Sequence, residues 1–563
     1  MKKKIKIFFK RNFLYKSTLI FWIYKYFKFF LPIRKKLTVQ LGFAEKYKSK
    51  VLSSNDKSKK IIIPLLETNH YQYLQILILA KALELRGADV SVLLCNSMMD
   101  GCEIKNSESP FKNQCLTCLF NHKHFIPLFK LNIITLSDFV NEDEILSIKK
   151  IAEDVSFDYP KEYYYDGIDI IPMVTESVVR YYYGNVPESL DDIAELRRRH
   201  IYTAILNIRT ANKMQSVFQP DIIFNNMCVY SAWEPYYKYF ETVEKTSLFT
   251  LSISAYNYNS VIFNSFELYK DRKRYNNYIN NRINKKLSAP EKKKLNKFIS
   301  KRHDGSTKQM KDYGWFEETP NIKKIININE HKRNIFLFPN VFWDVGLTRD
   351  CKLFPDVPSW VLKTIELINN DCHLYIKTHP AEKYGSLESS KGIKNFIEEK
   401  YPKLPTNITI LEPELNIKPY DLFKFADLGI IHSGTLSVEM ILEGVPVVMT
   451  SPLSPISGLG LAHEPTTLQE YKNILIGNKE PINPNTDEVE LFAYFYFIKT
   501  GIPWNLTNTA YANSAFYKQG YSFQSLNDLL PGKDKYLDHL CNCILDYENI
   551  IPESWSMNTI GSN

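Results

Sequence analysis

A disulfide framework, a cleavable leader and a full membrane span are all missing from what this sequence shows. Nine cysteines in 563 residues is a small and odd number, and no small-residue cleavage site follows the basic N-terminus. The expectation is a reduced, cytoplasmic setting. A spanning helix needs about 20 mostly apolar residues; the nearest run, Leu19 to Leu31, is shorter and is broken by Lys25 and Lys28. No HExxH arrangement occurs, and no DxD-type pair stands at a nucleotide site, so no catalytic metal or cofactor is expected. The net charge is +9, yet no nucleic-acid-binding module accompanies it, so nucleic acid is not an expected partner. A composition of 44% hydrophobic and 24% charged residues excludes a collagen-like or wholly disordered chain.

The positive charge concentrates in the first sixty residues. There Trp22, Phe21, Phe27 and Phe30 interleave with Lys and Arg. Such a segment suits an amphipathic helix lying at an anionic lipid surface, here the inner face of the cytoplasmic membrane. A helix packed on the protein and an uncleaved signal-anchor are the alternatives. Residues 1–58 are therefore read as a membrane-associating segment and linker. Length alone argues for two main domains beyond it.

The first domain, 59–325, opens with KKIIIPLL, an apolar run suited to a buried parallel strand, then a helical YLQILILAKALELRG and a second apolar run, ADVSVLLC. Strand, helix, glycine and strand make a βαβ unit. Ligands of such sheets bind at the carboxyl ends of strands, which puts Glu67, Asn69 and His70 among the acceptor-side candidates; capping the following helix is the plain alternative. PDIIFNN and SLFTLSIS read as further strands, with long helices at Ala194 to Phe218 and from Val229. The stretch from Cys102 to Asp192 lacks this rhythm and reads as an insertion or a helical excursion. Within it Cys102, Cys115, Cys118 and His122 have zinc-ligand spacing. A structural zinc, a redox pair and simply packed thiols remain open.

The alternation restarts at Asn334 with NIFLFPNV, CHLYIKTHPAE, ITILEPE and LGIIHSGTLSVEMILEGVPVVMT. It predicts a second Rossmann-like domain, 326–482, followed by a helical tail, 483–563. Two of its loops carry chemistry. In Lys377-Thr378-His379-Pro380-Ala381-Glu382 a histidine projects at a strand end, where it can hydrogen-bond a departing phosphate. In His432-Ser433-Gly434-Thr435-Leu436-Ser437-Val438-Glu439 a strand end, small hydroxyl residues and a helix start make an anion site. Gly434 lets a phosphate approach the backbone, and Glu439 is a candidate for ribose hydroxyls. Capping by Ser433 and Thr435 is the structural alternative.

IKTHPAE followed by SGTLSVEMILEGVPVV resembles the nucleotide-binding half of GT-B glycosyltransferases, nearest to those of bacterial capsule and lipopolysaccharide synthesis; FPNVFWDVGL and GLGLAHEPTTLQEY are similar to segments of the same group. The resemblance spans about Asn334 to Leu475. It implies an α/β fold of two Rossmann-like domains facing each other across a cleft. A CMP- or UDP-linked sugar would be the donor, and a saccharide or lipid-linked molecule the acceptor. It assigns donor phosphate to His379, Ser433, Gly434 and Thr435, and donor ribose or sugar to Glu439, with Asp344 and Glu382 nearby. Glu439 is followed by Glu443 rather than by a glutamate eight residues on, which departs from the usual retaining pattern. The catalytic base is sought among Glu67, His70, Asp100 and Glu234, with Glu67 and His70 first on strand-end position. A sugar-nucleotide epimerase or hydrolase, and a non-catalytic scaffold of polysaccharide assembly, are the competing functions.

Overall fold

The protein is seen in a computed structural model that describes residues 58–546, apart from 68–72, 104–110, 187–189, 254–259, 266–271, 305–321, 323–325, 344–350, 383–391, 509–519, 522–525 and a few single positions or pairs. The N-terminal basic segment, His70 and Asp344 lie outside the described residues. No helix among those described is long and apolar enough to cross a membrane.

Two separate parallel sheets form, as the repeated apolar runs require. The first contains β1 (Lys60–Pro64), β2 (Asp89–Leu94), β3 (Asn132–Thr135), β4 (Ile222–Asn225), β5 (Ser247–Ile253) and β6 (Ser260–Ser265). Its parallel part runs β3-β2-β1-β4-β5, and antiparallel β6 extends that edge. Alternation explains why both faces are apolar. Ile61 and Ile63 point into one core and Ile62 into the other.

Between β1 and β2, helix α1 (Tyr73–Leu85) is buried along all thirteen residues, and its Lys81 and Glu84 neutralise each other at 2.5 Å. Helices α2 (Phe111–Phe129), α3 (Glu142–Asp158), α4 (Ile171–Tyr181), α5 (Leu190–Val217) and α6 (Tyr230–Phe240) complete this unit. The stretch expected to be an insertion is corrected here. β3 pairs with β2 from Asn132 to Thr135 and is an edge strand of the main sheet. Its four residues give too short an apolar signal, after a long helix that contains Pro127.

The second sheet comprises β7 (Arg333–Phe338), β8 (Cys372–Lys377), β9 (Ile408–Leu411), β10 (Leu428–Ile431) and β11 (Val447–Met449). All pairings are parallel, in the order β9-β8-β7-β10-β11. This repeats the strand order of the first sheet. Helix α7 (Ala289–His303), although it precedes this sheet by thirty residues, packs into the second core through Leu295, Phe298 and Ile299.

After helix α8 (Thr486–Tyr494), which also packs in the second core, the chain returns to the first unit. Strand β12 (Gly501–Pro503) pairs antiparallel with β6. Helix α9 (Lys535–Leu545) packs against α1, where Arg86 meets Asp538 at 2.5 Å. The two units also touch beyond α4: Tyr183 meets Trp343 edge-on at 5.4 Å, and Arg180 lies 4.6 Å from the same ring.

Leu540 is fully buried against the first unit. Leu540→Ala is expected to cost about 2–5 kcal/mol in denaturant unfolding. An unchanged midpoint would show that the returning helix does not contribute to that unit's stability.

Candidate functional site

Parallel sheets with this strand order open a crevice where the order reverses, between the first and fourth strands, at their carboxyl ends. In the second unit that point lies between β7 and β10. Asn340, two residues beyond β7, accepts through Oδ1 from the Ser433 N–H at 3.3 Å, just beyond β10. Gly434 follows at φ +124°, a backbone that side chains rarely adopt, with Asn340 Nδ2 3.8 Å from where a Cβ would sit. Thr435 precedes a seven-residue helix, Leu436–Leu442, and makes no capping hydrogen bond through its side chain. Capping therefore does not account for its hydroxyl. Ser437 instead closes the turn by donating to the Gly434 carbonyl at 2.7 Å. Asn340 was missed in the sequence, because an asparagine after a Phe-Pro pair reads as a turn.

His432, in the same motif, is fully buried. Its Nδ1 meets Thr450 Oγ1 at 2.8 Å, and its ring lies 5.3 Å from Trp360. It anchors the loop and is not presented to a ligand.

The neighbouring strand β8 brings Lys377, His379 and Glu382 together. Burial pushes the Lys377 ammonium down to about 8, against the opposing pull of Glu382. His379 is half-buried, and its Nδ1 accepts from the Ala381 N–H at 3.1 Å, which leaves the proton of the neutral ring on Nε2. Burial, helped by Lys377, pushes this ring down to about 4, so it is neutral at pH 7. Glu382 sits on a single 3₁₀ turn. Burial pushes its carboxyl up to about 7. One oxygen accepts from the Ile393 N–H at 3.2 Å, and the other has no hydrogen-bond partner among the described residues. In this group desolvation disfavours every charged form, and an arriving anion would favour the lysine's charge.

Glu439 corrects the expectation of a ribose contact. Its carboxylate is fully buried and meets Arg302 of α7 at 2.6 Å. Burial works against the Arg302 charge, but Glu439 and Tyr420 together outweigh it and hold the guanidinium above its ordinary pKa. The helix turns Glu439 away from the loop and into the core. Sequence spacing gave its position along the helix but not which neighbour would cover it.

In the first unit the reversal lies between β1 and β4. Glu67, beyond β1, is 3% exposed and Asn225, at the end of β4, is fully buried. Glu234 lies buried within α6, and Asp100 is 3.8 Å from Arg198. Sequence reading also missed a buried polar group nearby. Glu103 Oε1 accepts from Ser177 Oγ at 2.8 Å and from Ser231 Oγ at 3.1 Å, while His200 Nδ1 meets Ser231 Oγ at 2.7 Å. Burial pushes the Glu103 carboxyl up, and the two hydroxyls moderate it. Ser231 is fully buried, so it orients this network rather than attacking a substrate. Tyr230 before it stands at φ +70°, a strained conformation for a bulky residue. The positive φ could not be read from sequence.

Cys102, Cys115, Cys118 and His122 do come together, around a small pocket beside β2.

No family model matches this sequence, and no curated protein matches it. Among solved structures, the chain is similar to the beta Kdo 2,4 transferase KpsC of Thermosulfurimonas dismutans, at 14% identity over 56% of this chain and 88% of that one, with a TM-score of 0.34. It is similar to CalG4, the calicheamicin glycosyltransferase, at 10% identity over 79% and 95%, TM-score 0.24. It is also similar to the UDP-GlcNAc 2-epimerase of Neisseria meningitidis, at 10% identity over 77% and 98%, TM-score 0.22. Likeness of this order does not select an activity; the residues must do so.

Glu382 makes stability pH-dependent. Its folded value lies at about 7, above the ordinary 4.5, so the folded chain keeps a proton that the unfolded chain releases between them. That contribution is complete below pH 4.5 and is lost as pH rises through about 7, an effect on the order of 3 kcal/mol. His379 and His122, both pushed down by burial, act in the opposite sense over much of the same window, so the readout is a difference: the stability of the wild type minus that of Glu382→Gln is expected to fall across this window, and parallel curves would refute the assignment. Glu439→Ala strands a buried Arg302 and is expected to cost about 3–5 kcal/mol, whereas Arg302→Met with Glu439→Leu recovers most of it. Equal losses in both proteins would contradict the ion-pair role.

Proposed function

We propose that the chain is a metal-independent GT-B glycosyltransferase. It moves a sugar from a CMP- or UDP-linked donor to a saccharide or lipid-linked acceptor in bacterial surface-polysaccharide synthesis, at the inner face of the cytoplasmic membrane. One observation carries the reading: the Asn340–Ser433 link, the left-handed Gly434 and the Lys377–His379 pair all stand at adjacent strand ends of one parallel sheet.

In this reading the second unit binds the nucleotide and its phosphates. The Ser433–Thr435 loop offers backbone N–H groups and hydroxyls. His379 donates through Nε2 to a phosphate oxygen, and Lys377, at about 8 still mostly protonated at pH 7, meets the anion with its charge. Both interactions strengthen as charge builds on the leaving phosphate when the glycosidic bond breaks, so they favour the transition state over the ground state. The acceptor hydroxyl is approached from the first unit, across a cleft between the two sheets. Glu67 takes the proton as general base, with His70 as the second candidate for that role. Asp344 and Glu382 flank the donor. The basic aromatic N-terminal segment keeps the enzyme near a lipid-linked acceptor.

The test is a thermal-shift panel of the full chain with CMP, UDP, GDP and ADP, repeated on His379→Ala. A nucleotide at about one hundred times its dissociation constant stabilises the binding state by about 2.7 kcal/mol, which is a rise of a few degrees in a chain of this size. One nucleotide is expected to shift the wild type and not the variant. No shift with any nucleotide would refute the donor site and favour a scaffold. Binding accompanied by epimerisation or hydrolysis of the nucleotide-sugar, without transfer, would favour the epimerase-type alternative.

A further inference from the structure

We propose that the pocket between the carboxyl end of β2 and helix α2 is a zinc site. Cys115, Cys118 and His122 of α2, with a thiolate from Cys95 or Cys102, would hold a single ion that fastens α2 to the sheet.

The pocket is built on one side by a helix face. Residues at i, i+3 and i+7 of a helix lie in one row, and Cys115, Cys118 and His122 have that spacing within Phe111–Phe129. The other side is the loop after β2, where Cys95 directly follows Leu94 and Cys102 comes seven residues later. All five side chains, with Leu66, line one cavity of about 20 Å³. That space suits one water or one ion and is too small for a multi-iron cluster.

His122 supplies the independent observation. It is 8% exposed and lines this cavity, yet neither ring nitrogen has a hydrogen-bond partner among the described residues. A buried imidazole with both nitrogens unsatisfied is costly, and an ion in the cavity would satisfy one of them. All nine cysteines are thiols, so no disulfide uses these sulfurs. Among the described residues no three side chains already stand as a metal-binding group. Loading therefore involves rotation of cysteine side chains toward the cavity, and the ion rather than the apo-chain would set the tetrahedral geometry. Zinc suits three thiolates and an imidazole, and four-coordinate sites of this kind are structural. Leu66, on the cavity wall, is the neighbour of Glu67, so the ion would also brace the end of β1.

The test is metal content of the full chain, purified without chelator and dialysed. About one zinc per chain is expected. Cys115→Ser with Cys118→Ser should bring zinc to background, while Cys372→Ser, in the second sheet, should retain it. Cys95→Ser and Cys102→Ser separately identify the fourth ligand by loss of the metal, and retention in both would overturn the four-ligand site. Should the double variant fail to fold, cobalt added to the metal-free wild type gives the second readout. A thiolate-to-cobalt charge-transfer band supports the site; its absence, together with absence of zinc, overturns it. Bound iron with visible absorption, or a Cys115–Cys118 disulfide by mass spectrometry, would also overturn it, in favour of a cluster or a redox pair. None of these readouts depends on nucleotide binding, so the donor-site reading can fail while this one stands.

Discussion

A parallel strand covered on both faces has nowhere to keep polar chemistry except its ends. That constraint orders the whole molecule. In β1 and β7 the side chains alternate between two apolar cores, and each strand pairs with a neighbour on both sides. Polar residues therefore gather where the strands stop. The two sheets share one strand order, so each has a reversal point with two carboxyl ends side by side. Asn340 and Ser433 meet at one; Glu67 and Asn225 stand at the other. What distinguishes the two units is the kind of group placed there: small hydroxyls, glycine and amide in the second, a carboxylate and an amide in the first.

The same constraint explains what could be read from the sequence. Apolar runs bounded by polar residues became strands at β1, β2, β4, β5, β7, β8, β9 and β10, because burial on both faces leaves an unbroken pattern. Loop residues after those runs then fell at strand ends almost by definition, which is how Lys377, His379 and Ser433 were found. What could not be read depends on which neighbour covers a side chain. Glu439 has the helix position of a ligand contact but is claimed by Arg302, which lies 137 positions earlier in the sequence and reaches it only through the packing of α7. Cys95 looked like the last residue of a strand, and only the fold turns it toward the α2 cysteines. The Glu103, Ser177, His200 and Ser231 network joins four segments and leaves no local signature.

Buried charge is handled differently in two parts of the second unit. Arg302 and Glu439 form a direct pair, and each ion's desolvation is offset by the other. Lys377 and Glu382 lack such a contact among the described residues. Their shifts run in opposite directions, toward neutrality for both, because burial dominates over their mutual attraction. A paired charge rigidifies a core, whereas groups whose charged forms are disfavoured by burial remain responsive to a third charge. The arrangement thus separates a structural salt bridge beneath the loop from a titratable group beside it, and it is the second that an anionic ligand would change.

The path of the chain bears on how the units are joined. It leaves the first sheet after β6, builds the second core, and returns through β12, which pairs with β6 itself: Ile262 faces Gly501 and Ser260 faces Pro503. Departure and return are thus neighbouring strands at one edge of one sheet. A connection of two adjacent segments restrains rotation more than a single linker would. The contacts of Trp343 with Tyr183 and Arg180 lie at a different place, at the end of α4. These contacts are aromatic and cationic. Ala381 packs against this same Tyr183–Trp343 cluster, so the position of the Lys377–Glu382 loop is tied to that of the first unit.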